Sequence, residues 1–208
     1  MLLTVPPILV ALTIHEFSHG YAAYRLGDPT AKSMGRLTLN PLAHLDLIGT
    51  IALLLVHFGW AKPVPVNPNY FQNPRKDLMW TALAGPGANF LLAITLGLLY
   101  KFSGVDDLVT KHLDIQPVLI ASFIFEFTIY INILLGVFNL IPIPPLDGSN
   151  ILAGLLPPHL ANSYASLSRY GIFLLLAFIA FGRGILQPIM SLFLSLYKFL
   201  VTANFHLF

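Results

Sequence analysis

The sequence contains no cysteine, and this absence limits both its covalent chemistry and its metal chemistry. A chain without cysteine has no disulfide framework and offers no thiolate ligand to a metal ion. Any metal site in this protein must therefore be built from histidine, aspartate or glutamate side chains.

Charged residues are also scarce. Only 10% of the 208 residues are charged and 56% are hydrophobic, whereas soluble domains carry about 25% charged residues. This composition excludes an ordinary soluble globule and predicts a membrane protein that crosses the lipid bilayer several times. The net charge of +2 is too small to indicate nucleic acid as a partner.

Several apolar segments have the length of a membrane span, which is about 20 residues. They lie at residues 3–25, 77–100, 117–141, 164–182 and 185–203, and a sixth stretch at 45–60 is marginal in length. Sixteen prolines and fifteen glycines indicate broken helices and intramembrane turns. We predict an all-α polytopic membrane protein with about five to six transmembrane helices, forming one domain over residues 1–208.

Two connecting segments have patterns that are not helical. Residues 33–41 alternate in polarity and end in a turn signal, which predicts a short strand or hairpin. Residues 61–68 read Ala-Lys-Pro-Val-Pro-Val-Asn-Pro, and this proline spacing predicts an extended segment. The first fourteen residues lack a basic n-region and a cleavage signal, so we expect them to belong to the first helix rather than to a signal peptide.

The motif His-Glu-Phe-Ser-His at residues 15–19 lies within the first apolar segment. Histidines at i and i+4 share one helix face about 6 Å apart, which suits two imidazole ligands of one zinc ion. Glu16 is then placed to act as a general base on a metal-bound water. Ionisable residues inside a membrane segment are costly unless they have a function, so the pattern predicts one zinc ion per chain rather than two interfacial histidines.

Asp147 is the best candidate for a third ligand. It ends a proline-rich break after the segment 117–141 and precedes Gly148. A ligand at the depth of His15 and His19 requires that segment to run parallel to the first helix. Segment 77–100 must then run in the opposite direction, and 45–60 is expected to be a re-entrant or interfacial piece. The competing interpretation is that Asp147 caps the helix that follows it.

The distribution of positive charge gives the orientation. With the N-terminus outside, eight basic residues fall near the cytoplasmic side and three outside, in agreement with the positive-inside rule. The first group comprises Arg25, Lys32, Arg36, Lys62, Arg75, Lys76, Arg169 and Lys198, and the second comprises Lys101, Lys111 and Arg183. We therefore predict a plasma-membrane protein whose metal site opens toward the cytoplasm.

Other polar residues allow more than one interpretation. The small residues at 85–88 favour close packing on the zinc helix, and Asn89 offers both a donor and an acceptor. The competing interpretation is a packing kink in which Asn89 bonds a freed carbonyl. His44 and Asp46 are alternative metal ligands or residues that orient a loop. Glu126 is an acid in the middle of an apolar helix, either functional or bonded to Asn132 or a tyrosine.

Taken together, five segments resemble the site-2 proteases, the intramembrane zinc metalloprotease family, and in particular its short prokaryotic branch without PDZ or CBS domains. The matching segments are residues 15–19, 35–44, 59–68, 84–89 and 139–148. The resemblance implies zinc bound by His15, His19 and Asp147, with Glu16 activating the water. It also implies cleavage of a transmembrane protein substrate from a cytoplasm-facing site, with Asn89 binding the substrate backbone or the oxyanion.

A helical substrate hides its carbonyls, so it must unwind before hydrolysis. The predicted strand, through Leu39 and Asn40, is expected to clamp the unwound substrate by edge addition. The alternatives to a protease are a membrane zinc transporter and a non-catalytic metal-binding scaffold. Transport is disfavoured because no path of acidic and histidine residues leads across the apolar segments, and the scaffold because Glu16 and Asp147 are both present. The sequence leaves a homo-oligomer open.

Overall fold

In a computed structural model the described residues, 2–56, 59–104 and 116–201, form helices joined by short irregular segments. In chain order the α-helices are α1 (Val5–Arg25), α2 (Thr30–Ser33), α3 (Leu47–Val56), α4 (Pro74–Ser103), α5 (Gln116–Asn139), α6 (Asp147–Leu155), α7 (Pro158–Ala165), α8 (Gly171–Phe181) and α9 (Arg183–Val201). Single 3₁₀ turns lie at Leu2–Thr4, Pro41–His44, Pro68–Tyr70 and Ser166–Tyr170. The all-α prediction is confirmed for this part of the chain.

Proline and glycine set the ends of the long helices. Helix α1 carries prolines in its first turn, where their missing N–H groups cost nothing, and it ends before Gly27. Helix α4 begins at Pro74 and ends at Gly104, whose φ of 69° is the left-handed conformation that closes many helices.

Helices α1, α4 and α5 form the core of the fold, and their hydrogen bonds give their directions. Along α1, His19 pairs with Thr81 of α4, while Ala11 pairs with Asn89, so α1 and α4 are antiparallel. Helices α4 and α5 are antiparallel as well, because Asn89 bonds Asn132 and Tyr100 bonds Ser122. Helices α1 and α5 therefore run in the same direction, as the position of Asp147 required.

Apolar side chains fill the space between these helices and α9. The buried cluster comprises Ala93, Ile129, Ile133, Val137 and Met190. Gly136 of α5 allows the ring of Phe90 to approach, since a Cβ on that glycine would lie 3.0 Å from the ring. Phe90, which packs against this cluster, directly follows Asn89, so the core borders the polar motif of α4.

Three helical stretches in the described residues are long and apolar enough to cross a membrane. They are Pro74–Ser103, Gln116–Asn139 and Pro158–Phe181, and the shorter apolar stretch Gly184–Ser195 follows. The protein is thus a membrane protein, but the predicted count of five to six spans is not confirmed. Helix α1 has 21 residues, yet the polar residues of its motif lower its hydropathy. Lys111 and the end of the predicted segment 185–203 lie outside the described residues.

In the described residues of the marginal segment 45–60, 45–56 and 59–60, the helix is α3, which has 10 residues. Such a helix is about 15 Å long, half the thickness of the hydrocarbon core. Its flanking residues return to each other, because Leu45 pairs with Ala61 in an antiparallel bridge and the N–H of Lys62 donates to the carbonyl of His44 at 2.8 Å. The helix is thus too short to span the hydrocarbon core, and the residues on either side of it lie next to each other.

The strand predicted over residues 33–41 is not formed. Helix α2 includes Ser33, Gly35 has a φ of 66° that breaks an extended run, and residues 37–39 form a bend. A strand is stabilised by hydrogen bonds to a neighbouring strand. Here the Thr38 carbonyl accepts a hydrogen bond from the His44 ring instead of from another strand. Alternating polarity alone was therefore insufficient to form a strand at residues 33–41. No strand occurs elsewhere in the described part of the chain.

Candidate metal centre

His15 and His19 lie one turn apart on α1 and present their rings to the same side. Their Nε2 atoms are 3.0 Å apart, and His15 is 4% exposed. The α-helix itself produces this pairing, because residues four apart stand one above the other on one face. The two imidazoles therefore form a preassembled pair of ligand atoms.

Asp147 comes to this pair from a distant part of the sequence. It is the first residue of α6, and its Oδ2 lies 3.1 Å from Nε2 of His15 and 3.2 Å from Nε2 of His19. The N-cap position of α6 belongs to Leu146, and the Asp147 side chain makes no capping hydrogen bond. Asp147 thus does not have the helix-capping role that was its competing interpretation.

Gly148 explains how α6 can begin so close to the end of α5. A Cβ at this position would overlap the carbonyl oxygens of Leu140 and Ile141. The absence of a side chain lets the first turn of α6 rest on the backbone of the proline-rich break. This contact fixes the residue before it, Asp147, against α1.

The hydrogen bonds of the two rings define their tautomers. Nδ1 of His15 donates to Oδ1 of Asn89 at 2.6 Å, and Nδ1 of His19 donates to the Thr81 carbonyl at 2.7 Å. The amide of Asn89 is oriented by its own donation to the Ala11 carbonyl at 3.1 Å, so its oxygen must be the acceptor toward His15. With its proton on Nδ1, each imidazole in its neutral form carries its lone pair on Nε2, the nitrogen that faces Asp147.

Three electron-pair donors therefore converge on one point. The Oδ2 atom of Asp147 is buried without a hydrogen-bond partner, and when the two imidazoles are neutral the Nε2 atoms that face it are acceptors as well. Unpaired buried acceptors are costly, and a cation between them removes that cost. Two ligands of one tetrahedral zinc ion lie about 3.3 Å apart, given metal–ligand distances of about 2.0–2.2 Å, so the observed separations of 3.0–3.2 Å fit such an ion.

Helix α4 passes the two imidazoles at close range through Gly85. A Cβ on Gly85 would overlap the ring of His19 and would lie 2.8 Å from Cε1 of His15. Gly87 in the same motif is exposed, and a Cβ there would have no heavy atom within 4 Å. Only the first glycine of the motif is thus required by packing against the ligands.

Glu16 lies beside the ligand pair on α1. Its Oε2 accepts a hydrogen bond from the backbone N–H of Val64 at 2.8 Å, in the extended segment after α3. One carboxylate oxygen is thereby held by the main chain, and it is Oε1 that remains for other partners.

Asn89 is not accessible, as a residue that binds substrate would be expected to be. It is fully buried, and its amide makes three hydrogen bonds, to His15, Ala11 and Asn132. These bonds use both N–H groups and one lone pair of the oxygen, so in this structure Asn89 orients the ring of His15, a candidate ligand. Asn132, which relays the contact to α5, was missed as a site residue, although a polar residue within an apolar span was a signal.

Leu39 and Asn40 are not brought into the ligand cluster. The side chain of Asn40 accepts from the N–H of Leu42 at 3.1 Å and caps the 3₁₀ turn. Leu39 is 57% exposed and, with five other residues, lines an apolar cavity of about 150 Å³. The α1 residues of that cavity, Leu9, Val10, Thr13 and Ile14, lie roughly opposite His15 and His19, at about 100° of rotation per residue.

The other polar candidates are bonded within their own segments. Nε2 of His44 donates to the Thr38 carbonyl at 2.8 Å, and Oδ1 of Asp46 accepts from the N–H of Gly49 at 2.8 Å. Among the described residues, the grouping of three metal-ligand side chains comprises only His15, His19 and Asp147. His44 and Asp46 therefore orient the loop and α3, which was the second interpretation of these residues.

Comparisons with known proteins agree with the motifs. The sequence profile of peptidase family M50 matches residues 4–179. The Bacillus subtilis protein named "Putative zinc metalloprotease YwhC" is 40% identical over 191 residues, covering 88% of this chain and 84% of that protein. The Mycolicibacterium smegmatis protein named "Putative zinc metalloprotease Rip2" is 30% identical over 177 residues, covering 82% of this chain and 63% of that protein. No solved structure gave a significant match. The chain belongs to peptidase family M50, the site-2 protease family that its motifs resemble.

Proposed function

We propose that this protein is an intramembrane zinc metalloprotease that hydrolyses peptide bonds in transmembrane or membrane-proximal segments of its substrates. The observation that carries the proposal is the convergence of three potential metal-ligand atoms within 3.2 Å of one another. Membership of a peptidase family, together with relatives named as zinc metalloproteases, favours this function over zinc transport or a non-catalytic scaffold.

His15, His19 and Asp147 would hold the metal and leave a fourth position open, as catalytic zinc sites do. A zinc ion held by these three residues would supply Lewis acidity to the scissile carbonyl and would lower the pKa of a bound water to about 7. Residues 15–148 form the proposed catalytic core, and the helices at 164–203 are accessory to it.

Glu16 provides the proton transfers of the reaction. Its free oxygen, Oε1, accepts a proton from the attacking water while the water oxygen forms a bond to the scissile carbon. Glu16 then returns the proton to the amide nitrogen as the carbon–nitrogen bond breaks, which gives a carboxylic acid and an amine. Because Oε2 is held by Val64, the proton is carried on the oxygen that is free to turn toward substrate.

The experiment combines metal analysis with cleavage of a transmembrane model substrate by purified protein in lipid vesicles. Glu16→Gln should keep one zinc per chain while its cleavage rate falls about 10²- to 10⁴-fold. His15→Ala, His19→Ala and Asp147→Ala should lose most of the metal as well as the activity. Wild-type cleavage by Glu16→Gln, or full zinc in the three ligand variants, would contradict the proposal.

We also propose that the site opens toward the cytoplasm of a prokaryotic plasma membrane, on the basis of the eight-to-three distribution of basic residues. The absence of cysteine makes this easy to test, because a single introduced cysteine is then the only thiol. Lys76→Cys and Lys101→Cys lie near opposite ends of α4. An impermeant thiol reagent applied from outside should label the second and spare the first, and the reverse pattern would show the opposite orientation.

A further inference from the structure

Val64 lies across the face of α1 that carries the proposed base. Its backbone N–H donates to Oε2 of Glu16 at 2.8 Å, and the residue is 8% exposed. Gly20, one turn after Glu16, makes room for it, since a Cβ on Gly20 would lie 3.0 Å from Cγ1 of Val64. A main-chain donor cannot rotate away as a side chain can, so its direction depends on how the chain around Val64 is held.

The chain is held on both sides of Val64. Before it, the N–H of Lys62 donates to the His44 carbonyl at 2.8 Å. After it, the N–H of Asn67 donates at 2.7 Å to Oδ2 of Asp28, which is fully buried. The prolines at 63 and 65 fix φ on either side of Val64 and remove competing donors.

Arg36 holds the carbonyl side of the same segment. Its guanidinium Nη2 donates to the carbonyl of Lys62 at 2.8 Å and to that of Pro63 at 3.3 Å. The second of these carbonyls belongs to the same peptide unit as the N–H of Val64. Arg36 therefore fixes the orientation of the peptide that donates to Glu16, although its own hydrogen bonds go to the backbone and not to the ligand cluster.

We propose that the Val64 N–H is the donor that positions Glu16 for proton transfer, and that Arg36 is a positioning residue acting through residues 61–64. The inference rests on the proposed role of Glu16 as the base. A free glutamate side chain samples many rotamers, whereas one held at Oε2 presents Oε1 in a single direction. Misplacement of a reacting group by about 1 Å can cost about a hundredfold in rate.

A purely structural role would give a different result. If the bond between Val64 and Glu16 only tied the segment to α1, its loss would lower thermal stability and change KM and kcat together. A positioning role predicts a fall in kcat with KM and zinc content unchanged, because the three ligands come from α1 and α6 and not from this segment.

The test measures kcat, KM and zinc content for purified variants in lipid vesicles. Val64→Pro removes the donor, and Val64→Ala removes the side chain but keeps the N–H, so the first should have a kcat at least about tenfold below the second. Val66→Pro is the matched control, since the N–H of Val66 makes no hydrogen bond within the described residues; it should cleave at the wild-type rate.

Two substitutions test Arg36, one that removes its positive charge and one that keeps the charge but changes its shape. Arg36→Gln should lower kcat about tenfold or more, and Arg36→Lys should recover part of that loss because its ammonium can reach one of the two carbonyls. The double variant Val64→Pro with Arg36→Gln should be no slower than Val64→Pro alone, since both changes act through one hydrogen bond.

Wild-type kcat in Val64→Pro would overturn the inference, and so would additive losses in the double variant. If Val64→Pro does not fold, Arg36→Gln and its lysine rescue decide the question, and wild-type kcat in Arg36→Gln then overturns it. Activity in Glu16→Gln would instead contradict the proposed function, so the two failures are distinguishable.

Discussion

Asn89 accepts a hydrogen bond from Nδ1 of His15 at 2.6 Å and thereby fixes which nitrogen of that ring faces the candidate metal position. The same amide donates to Asn132 at 2.7 Å, and Asn132 in turn donates to the Thr128 carbonyl in its own helix. One buried network thus joins α1, α4 and α5 at the level of the ligands. Partners of this kind keep a ligating histidine in one tautomer and one orientation.

Removing the amide of Asn89 should therefore weaken metal binding. Asn89→Ala leaves Nδ1 of His15 without an acceptor, so the zinc Kd is expected to rise about 10- to 100-fold. Asn132→Ala should have a smaller effect in the same direction, because Asn89 keeps its bond to Ala11. The measurement is zinc competition against a chelator of known affinity.

Thr95→Ala is the control for this series. Its hydroxyl bonds only the Leu91 carbonyl of its own helix, at an exposed position of α4. It should bind zinc as the wild type does. Wild-type zinc affinity in Asn89→Ala would show that His15 needs no orienting partner.

The two glycines of the motif on α4 should respond differently to alanine. Gly85→Ala places a methyl group into the ring of His19, so the two imidazoles must move apart and zinc content should fall with activity. Gly87→Ala adds the same methyl group where no heavy atom lies within 4 Å, and it should keep both. Zinc analysis and cleavage assays on the pair check this, and equal behaviour of the two variants would contradict it.

Gly148→Ala should displace Asp147. The added methyl group overlaps the Leu140 and Ile141 carbonyls, and overpacking of this kind costs about 1–3 kcal/mol of stability. Because Asp147 is the preceding residue, zinc should be lost at a temperature where the protein is still folded. Thermal unfolding and metal content, measured in detergent, separate the two effects.

Gly184→Ala is the matched control, since a Cβ there has no neighbour within 4 Å. Alanine in a helix is favoured over glycine by about 0.5–1 kcal/mol, so this variant should be as stable as the wild type or slightly more so. Zinc content should remain at one per chain. Loss of zinc in both glycine variants would point to a general sensitivity of the fold.

Local spacing and helix direction predicted the candidate ligands, but not what surrounds them. His15 and His19 are paired by helix geometry alone, and the parallel course of α1 and α5 places Asp147 beside them. The acceptor for His19 is the Thr81 carbonyl, a main-chain group that has no residue signature. The Val64 N–H that donates to Glu16 is also a main-chain group, so residue types could not identify it.

The failed strand has a related cause. Alternating polarity at residues 33–41 predicts a strand only if another segment supplies a ladder, and the extended residues 61–67 use their backbone groups on Glu16, Asp28, Arg36 and His44 instead. Long-range competition for hydrogen bonds decided the outcome. Asn89 was ambiguous for the same reason, because only the packing of α1, α4 and α5 places His15 and Asn132 on either side of it.

Glu126 is the acid for which the sequence offered two roles, and the structure favours the bonded one. Oε1 of Glu126 accepts from the hydroxyls of Tyr100 and Ser122 at 3.1 and 3.0 Å, and those hydroxyls lie 2.8 Å apart. The cluster ties α4 to α5, eleven residues along α4 from Asn89 and so about 16 Å away from it. We therefore predict a structural role. Glu126→Gln keeps the accepting oxygen and should retain zinc, activity and thermal stability.

Tyr100→Phe removes the hydroxyl that makes two of the three contacts in this cluster and should cost about 1 kcal/mol. For a chain of this length that lowers Tm by about 2–4 °C, while zinc content and kcat stay at their wild-type values because the ligand network on α4 is unaffected. Thermal unfolding and cleavage assays on both variants, in the same lipid or detergent, provide the measurement. A Glu126→Gln variant that folds and binds zinc but does not cleave substrate would show that the carboxylate itself takes part in the function.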